Sequence, residues 1–206
     1  MKLFLSSYEL GENPEKLAKL ASANKRVAVI GNASDLKTVE ERIEKIAKEI
    51  DPLIEIGLMP EELDLRDYFG KESELKKKLE EFGMVWVKGG NTFVLRRAFK
   101  QSGFDKLIKE KIDDPDFVYA GYSAGSCIVT PTLKGLGIVD DPVSVPENYD
   151  PEIIWKGLGF VDYSIAPHYR SNHPESAMVE ETVKYFIEHG MPYKPLRDGE
   201  VIITEI

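Results

Sequence analysis

Short apolar runs alternate with amphipathic stretches along this chain. Residues 2–7 and 26–31 are compact apolar runs bounded by polar residues or glycine, which predicts strands. Between them, residues 14–23 read as a short helix with Pro14 at its start. From Ser34 to Ile50 the apolar positions Leu36, Val39, Ile43, Ile46, Ala47 and Ile50 recur at helical spacing, with Ser34 as the expected cap and Pro52 as the expected stop. Residues 62–66 alternate like a strand, residues 73–82 read as a helix closed by Gly83, and residues 84–88 read as a strand. Helices are expected over 93–101 and 104–112, and then a strand leading to Ser123. Beyond it the pattern predicts a strand at 164–166, a helix over 174–189 closed by Gly190, and a terminal extended pair around Asp198-Gly199. Strands alternating with helices imply βαβ units: a three-layer α/β fold with a mostly parallel sheet covered on both faces, expected as one domain over residues 1–206.

In such sheets ligands bind at the carboxyl ends of the strands. Two glycine-containing segments fall there, Gly89-Gly90-Asn91-Thr92 and Gly121-Tyr122-Ser123-Ala124-Gly125. The second is Gly-x-Ser-x-Gly, with a β-branched and aromatic run before it and a helix-compatible run after it. That is the layout of a nucleophile elbow, a sharp strand-to-helix turn that exposes a serine at the top of a sheet. A helix beginning there would point its N–H groups at the serine oxygen.

A serine hydroxyl needs a base to take its proton, and the chain has three histidines. His189 precedes Gly190 at an expected helix C-terminus, and His173 precedes Pro174 at a helix entry, so both suit structural or surface roles. His168, in Pro167-His168-Tyr169, follows a short strand and is the candidate base. A carboxylate should orient its ring. Asp198 is the first choice, although Asp-Gly between extended runs is also a hairpin signal; Asp141, Asp162 and Glu200 are the alternatives. The oxyanion would be held by the N–H groups of Ala124 and Gly90. Asn91 or Thr92 would cap the helix after the glycine pair, and no phosphate-loop Lys-Ser/Thr follows it.

Composition narrows the partners. A net charge of −9 argues against nucleic acid or an anionic membrane. The single cysteine, Cys127, excludes an internal disulfide and reads as a small buried hydrophobe. Residues 1–7 are too short for a secretion signal, so a cytoplasmic location is expected. Neither the histidine spacing nor a cysteine pair points to a metal, and no cofactor is expected.

At these residues the sequence resembles the peptidase E (dipeptidase E) family of serine peptidases, to which cyanophycinases are related. The resemblance runs in order through Gly89-Gly-Asn-Thr-Phe93, Gly121-Tyr-Ser-Ala-Gly125, Pro167-His168 and Asp198-Gly199. It implies a glutaminase-like, flavodoxin-type sheet, Ser123 as nucleophile, His168 as base, Gly90 as the oxyanion glycine and Asp198 in the place of the family's acid. Two departures stand out: Lys88 replaces a glycine often found before the pair, and the stretch 169–175, where relatives carry basic side chains that read an aspartyl substrate, is short. Arg170 is the basic candidate there, with Asn91 and Asp141 as further candidate substrate contacts. The expected activity is serine-type hydrolysis of short peptides, with N-terminal aspartyl dipeptides as one candidate class, by a monomer or homodimer. The alternatives are a serine esterase, a β-aspartyl or cyanophycin-type hydrolase, and a catalytically silent ligand-binding relative.

Overall fold

A computed structural model describes residues 1–206. Six strands form the main sheet: β1 (Lys2–Ser6), β2 (Arg26–Ile30), β3 (Met59–Glu62), β4 (Met84–Val87), β5 (Val118–Tyr122) and β8 (Val201–Glu205). Their order is β3-β2-β4-β5-β1-β8, parallel throughout except that β8 runs antiparallel to β1. The remaining strands, β6 (Ser164–Ala166) and β7 (Tyr193–Pro195), pair with one another in a separate parallel ribbon.

The near-continuous apolar strands are explained by burial on both faces. Leu3, Leu5, Ala28, Ile30, Val85 and Val87 face one side, which is covered by the helices α3 (Glu72–Leu79), α4 (Thr92–Ser102) and α5 (Phe104–Glu110). Phe4, Val27, Val29, Met84, Trp86 and Ala120 face the other, under α1 (Glu15–Leu20) and α2 (Val39–Glu55). A smaller apolar cluster joins α7 (Ser176–Glu188) to Phe93, Cys127 and Ala166, and so brings the 164–168 segment against the main sheet. No helix is long and apolar enough to cross a membrane.

The expected alternation of strands and helices is observed, with four local corrections. The helix expected from Ser34 begins at Val39. Thr38 caps it, accepting from Glu41 N while the Glu41 carboxylate accepts from Thr38 N. Ser34 lies instead in a 3₁₀ turn (Asn32–Ser34) set by the buried Asn32 amide, which donates to Asp35 and Asp64. Pro52 sits inside the helix rather than ending it. The buried face also differs: Arg42, Ile46, Glu49 and Leu53 point inward while Val39 and Ile43 are exposed. Arg42 can be buried because Asp35, Glu62 and Asp64 pair with it at 2.8, 2.6 and 3.1 Å.

Second, the strand expected at 62–66 lies earlier, at Met59–Glu62. Beyond Leu63 the chain turns because Asp64 caps a 3₁₀ turn (Leu65–Tyr68) and Asn32 Oδ1 accepts from Leu65 N. Third, Asp198-Gly199 does not make a hairpin. The strands on either side belong to different sheets, β7 pairing with β6 and β8 with β1, so the dipeptide crosses between them. Fourth, the strand before His168 belongs to the small ribbon and not to the main sheet.

Replacing Thr38 with Ala removes the side-chain half of the capping box and should lower unfolding free energy by about 1 kcal/mol, read by urea denaturation.

Candidate functional site

The carboxyl ends of β4, β5 and β1 lie side by side, Val87 opposite Gly121 and Ser6 opposite Tyr122. The residues that follow these strands, Lys88 to Asn91, Ser123 and Ser7, therefore emerge at one edge of the sheet. Ser123 has φ 48° and ψ −113°, the strained geometry of an elbow. The flanking glycines are needed for packing as well as for strain: a Cβ on Gly125 would lie 2.1 Å from the Val87 carbonyl oxygen, and one on Gly121 2.7 Å from it.

The helix after the elbow, α6 (Ala124–Cys127), is a single turn. Ile128, Val129 and Thr130 are β-branched, Thr130 Oγ1 donates to Cys127 O, and Pro131 follows. The N–H groups near Ser123 thus come from a single turn rather than from a long helix. Ala124 N opens this turn. Gly90 N has no hydrogen-bond partner within the chain, and Gly90 adopts φ 144° with Ala33 O placed where its Cβ would be.

His168 is buried, with φ 61°, and its Nδ1 lies 2.7 Å from Asp198 Oδ1. Asp198 is therefore the carboxylate at the imidazole. Asp162 is exposed, Asp141 accepts from Ser144 Oγ and Val143 N, and Glu200 accepts from Arg197 N. Ser123 and His168 line a common cleft of about 490 Å³ together with Gly90 and Asn91. Ser123 Oγ and the imidazole are not joined by a hydrogen bond; catalytic bonds of this kind commonly tighten only around a substrate.

Ser7, which sequence reasoning did not single out, completes the arrangement. It is fully buried, its hydroxyl donates to Asp198 Oδ1 at 2.9 Å, and it accepts from His168 N at 2.8 Å. Asp198 N in turn donates to Ser171 Oγ at 2.8 Å. The available signal was a polar residue ending an apolar strand run, but only strand order shows that β1 adjoins β5. His173, expected at a helix entry, stacks on His168 with ring centroids 3.7 Å apart and planes within 8°. Tyr8 packs against both rings.

The candidate substrate contacts separate. Asn91 lines the cleft, yet its side chain is occupied: Oδ1 accepts from Phe93 N and Val94 N, and Nδ2 donates to Asp141 O. Arg170 is exposed, lies over the Tyr169 ring and approaches Glu180, outside the cleft. The Asp141 carboxylate is spent on its own loop. Its neighbour Asp140 instead lines a narrow recess behind Ser123 with Cys127 and Leu136, accepts from Thr92 N at 2.8 Å and is pushed by burial up to about 6. Cys127 is buried, which raises its thiol pKa.

The ligand atoms of His168, His173 and Glu175 approach within 4.8 Å of one another. They do not make a coherent metal centre. His168 Nδ1 is held by Asp198, and parallel stacked imidazoles direct their in-plane lone pairs into separate planes.

Burial lowers the His168 pKa below 6.5, the Asp198 hydrogen bond opposes this, and the neighbouring His173 lowers it further. In a histidine-detected NMR titration His168 should thus protonate below pH 6.5. His173→Phe, which keeps a stacked ring without a second positive charge, should move that midpoint upward.

The family model of peptidase family S51 matches residues 5–205. An uncharacterized peptidase of Listeria monocytogenes is 33% identical over 182 residues, 86% of this chain and 81% of that one. A probable alpha-aspartyl dipeptidase of Drosophila melanogaster is 30% identical over 129 residues, 60% of this chain and 50% of that protein. The crystal structure of a protein described as a putative peptidase E from Listeria monocytogenes EGD-e superposes with a TM-score of 0.72 at 29% identity, covering 100% of this chain and 98% of that one. A peptidase from an acI-B1 Actinobacterium shares the fold at a TM-score of 0.68 and 15% identity, over 99% of this chain and 83% of that one. The chain belongs to peptidase family S51 and is a peptidase.

Proposed function

We propose that this peptidase cleaves short peptides through a Ser123-His168-Asp198 triad, with the N–H groups of Gly90 and Ala124 as the oxyanion hole. The observation that carries this reading is the 2.7 Å contact of His168 Nδ1 with Asp198, in a cleft that also contains the elbow serine.

In the first step Ser123 Oγ attacks the scissile carbonyl carbon while His168 Nε2 takes its proton. Asp198 accepts the Nδ1–H bond, which selects the tautomer that leaves Nε2 basic and stabilises the imidazolium once formed. Negative charge on the tetrahedral oxygen is met by the Gly90 and Ala124 amides. Collapse of this intermediate breaks the C–N bond, and the His168 proton goes to the leaving amine. Water then attacks the acyl-serine, giving its proton to His168, and the returning proton restores Ser123. The raised burial of His168 keeps the imidazole neutral, and therefore basic, at neutral pH.

Ser7 holds this base in place by bonding both its backbone and its carboxylate partner. The Drosophila relative's name makes aspartyl dipeptides one class to assay. In this chain Arg170 lies away from the cleft, so an aspartyl side chain has no arginine partner there.

The test is steady-state hydrolysis of a dipeptide panel containing Asp-Leu, Ala-Leu and a β-aspartyl isomer. Ser123→Ala and His168→Ala should each lower kcat by roughly 10³-fold or more with the fold intact by circular dichroism. Near-normal turnover by either variant would exclude the mechanism.

A further inference from the structure

Lys88 is a cation in an enclosed place. It follows β4 directly, ahead of Gly89 and Gly90, and is 7% exposed. Burial pushes its pKa down, and the Glu49 carboxylate, with Oε1 3.9 Å from Nζ, opposes that shift. Glu49 is itself held on both oxygens, Oε1 by the Tyr122 hydroxyl and Oε2 by Trp86 Nε1, each at 2.8 Å. The centre of the Tyr122 ring lies 5.8 Å from the ammonium. Groups from α2, β4 and β5 thus converge on one lysine side chain.

That side chain ends on the peptide unit between the two glycines. Lys88 Nζ donates to Gly89 O at 3.1 Å. Gly89 C=O and Gly90 N–H belong to the same planar unit and point in opposite directions, so whatever holds the oxygen also aims the N–H. The backbone on either side is tied down, Lys88 N donating to Ile30 O at 3.0 Å and Asn91 N to Ala33 O at 2.9 Å. The unit between them is freer: reversing it turns only Gly89 ψ and Gly90 φ, and neither residue has a Cβ to resist. Its one hydrogen bond within the chain is the bond from Lys88. It also adjoins the elbow, since a Cβ on Gly89 would lie 3.1 Å from Ser123 Cβ.

A charged donor on a carbonyl oxygen draws electron density through the amide and makes the N–H at its other end a stronger donor. The effect grows where water is excluded, as it is around this nearly buried ammonium.

We propose that Lys88 is a positioning residue for the oxyanion hole: by binding Gly89 O it aims the Gly90 N–H at the tetrahedral oxygen and strengthens that N–H as a donor. This rests on the reading of Ser123 as nucleophile and Gly90 N as an oxyanion donor. The contribution is made where the oxygen carries its charge, in the transition state, and therefore belongs to kcat rather than to KM.

The experiment has two readouts. In hydrolysis of Asp-Leu and Ala-Leu, Lys88→Met should lower kcat about tenfold with KM nearly unchanged, less than the roughly 10²–10³-fold that outright loss of an oxyanion donor costs. Lys88→Arg, which keeps a charged donor, should retain most of the activity. The second readout is a tetrahedral adduct, formed with alanine trifluoromethyl ketone carrying ¹³C at its carbonyl carbon. Ser123 Oγ bonds to that carbon, its proton passes to His168, and the former ketone oxygen becomes the oxyanion. The protonation midpoint of that oxygen, read by ¹³C NMR, should lie about one pH unit higher in Lys88→Met than in wild type, matching the tenfold loss. If Lys88→Met fails to fold because Glu49 is left unbalanced, Lys88→Met/Glu49→Gln removes both charges and is measured in its place. A merely structural role would lower the folded fraction without moving the midpoint. An unmoved midpoint in the folded variant would overturn the inference, and so would a loss confined to KM, which would make Lys88 a substrate contact instead. An adduct on wild type upholds the triad reading whatever Lys88 does. Absence of both adduct and turnover in wild type removes the triad reading and this inference with it.

Discussion

Burial of the central sheet on both faces is the constraint on which the rest of this molecule depends. β4, β5 and β1 present apolar side chains to helices above and below, so their polar chemistry is confined to the carboxyl edge where the strands end. There the packing is tight enough to require glycine: the Val87 carbonyl occupies the space that a side chain on Gly125 would need. This contact presses the elbow against β4 and brings Ser123 beside Gly89 and Gly90. The proposed nucleophile and oxyanion donors are thus neighbours because two buried strands are neighbours.

The imidazole reaches that edge by a different route. His168 is held by the small ribbon of β6 and β7, by α7 packing on Phe93 and Cys127, and by Ser7 at the end of β1. Asp198 comes from the crossing between the ribbon and β8. Three separate stretches of chain therefore converge on one pair of hydrogen bonds, and the positive φ of His168 is maintained by that convergence. An acid supplied on a crossing between two sheets, rather than on a hairpin, has its backbone tied at both ends.

Much of this was legible in the residues because apolar runs and Gly-x-Ser-x-Gly carry their signals locally. Asn91 could be read as a cap, and the β4 and β5 runs as buried strands, for the same reason. What escaped was non-local. Arg42 and Glu49 on the inner face of α2 break the apolar stripe, since their burial depends on partners from other elements: Asp35, Glu62 and Asp64 for the first, Trp86 and Tyr122 for the second. Ser7 and the stacked His173 likewise acquire meaning only through strand order and the placement of the 168–175 segment. The Asp-Gly dipeptide misled because it is a sound local turn signal whose flanking strands have other partners.

The central claim is that Ser123 is activated by His168 held on Asp198. Intact-mass analysis after treatment with a fluorophosphonate, which reacts with activated serines, tests it most directly. The account predicts one adduct on wild type and none on Ser123→Ala or His168→Ala. An adduct that persists on Ser123→Ala, or no adduct on folded wild type, would contradict it.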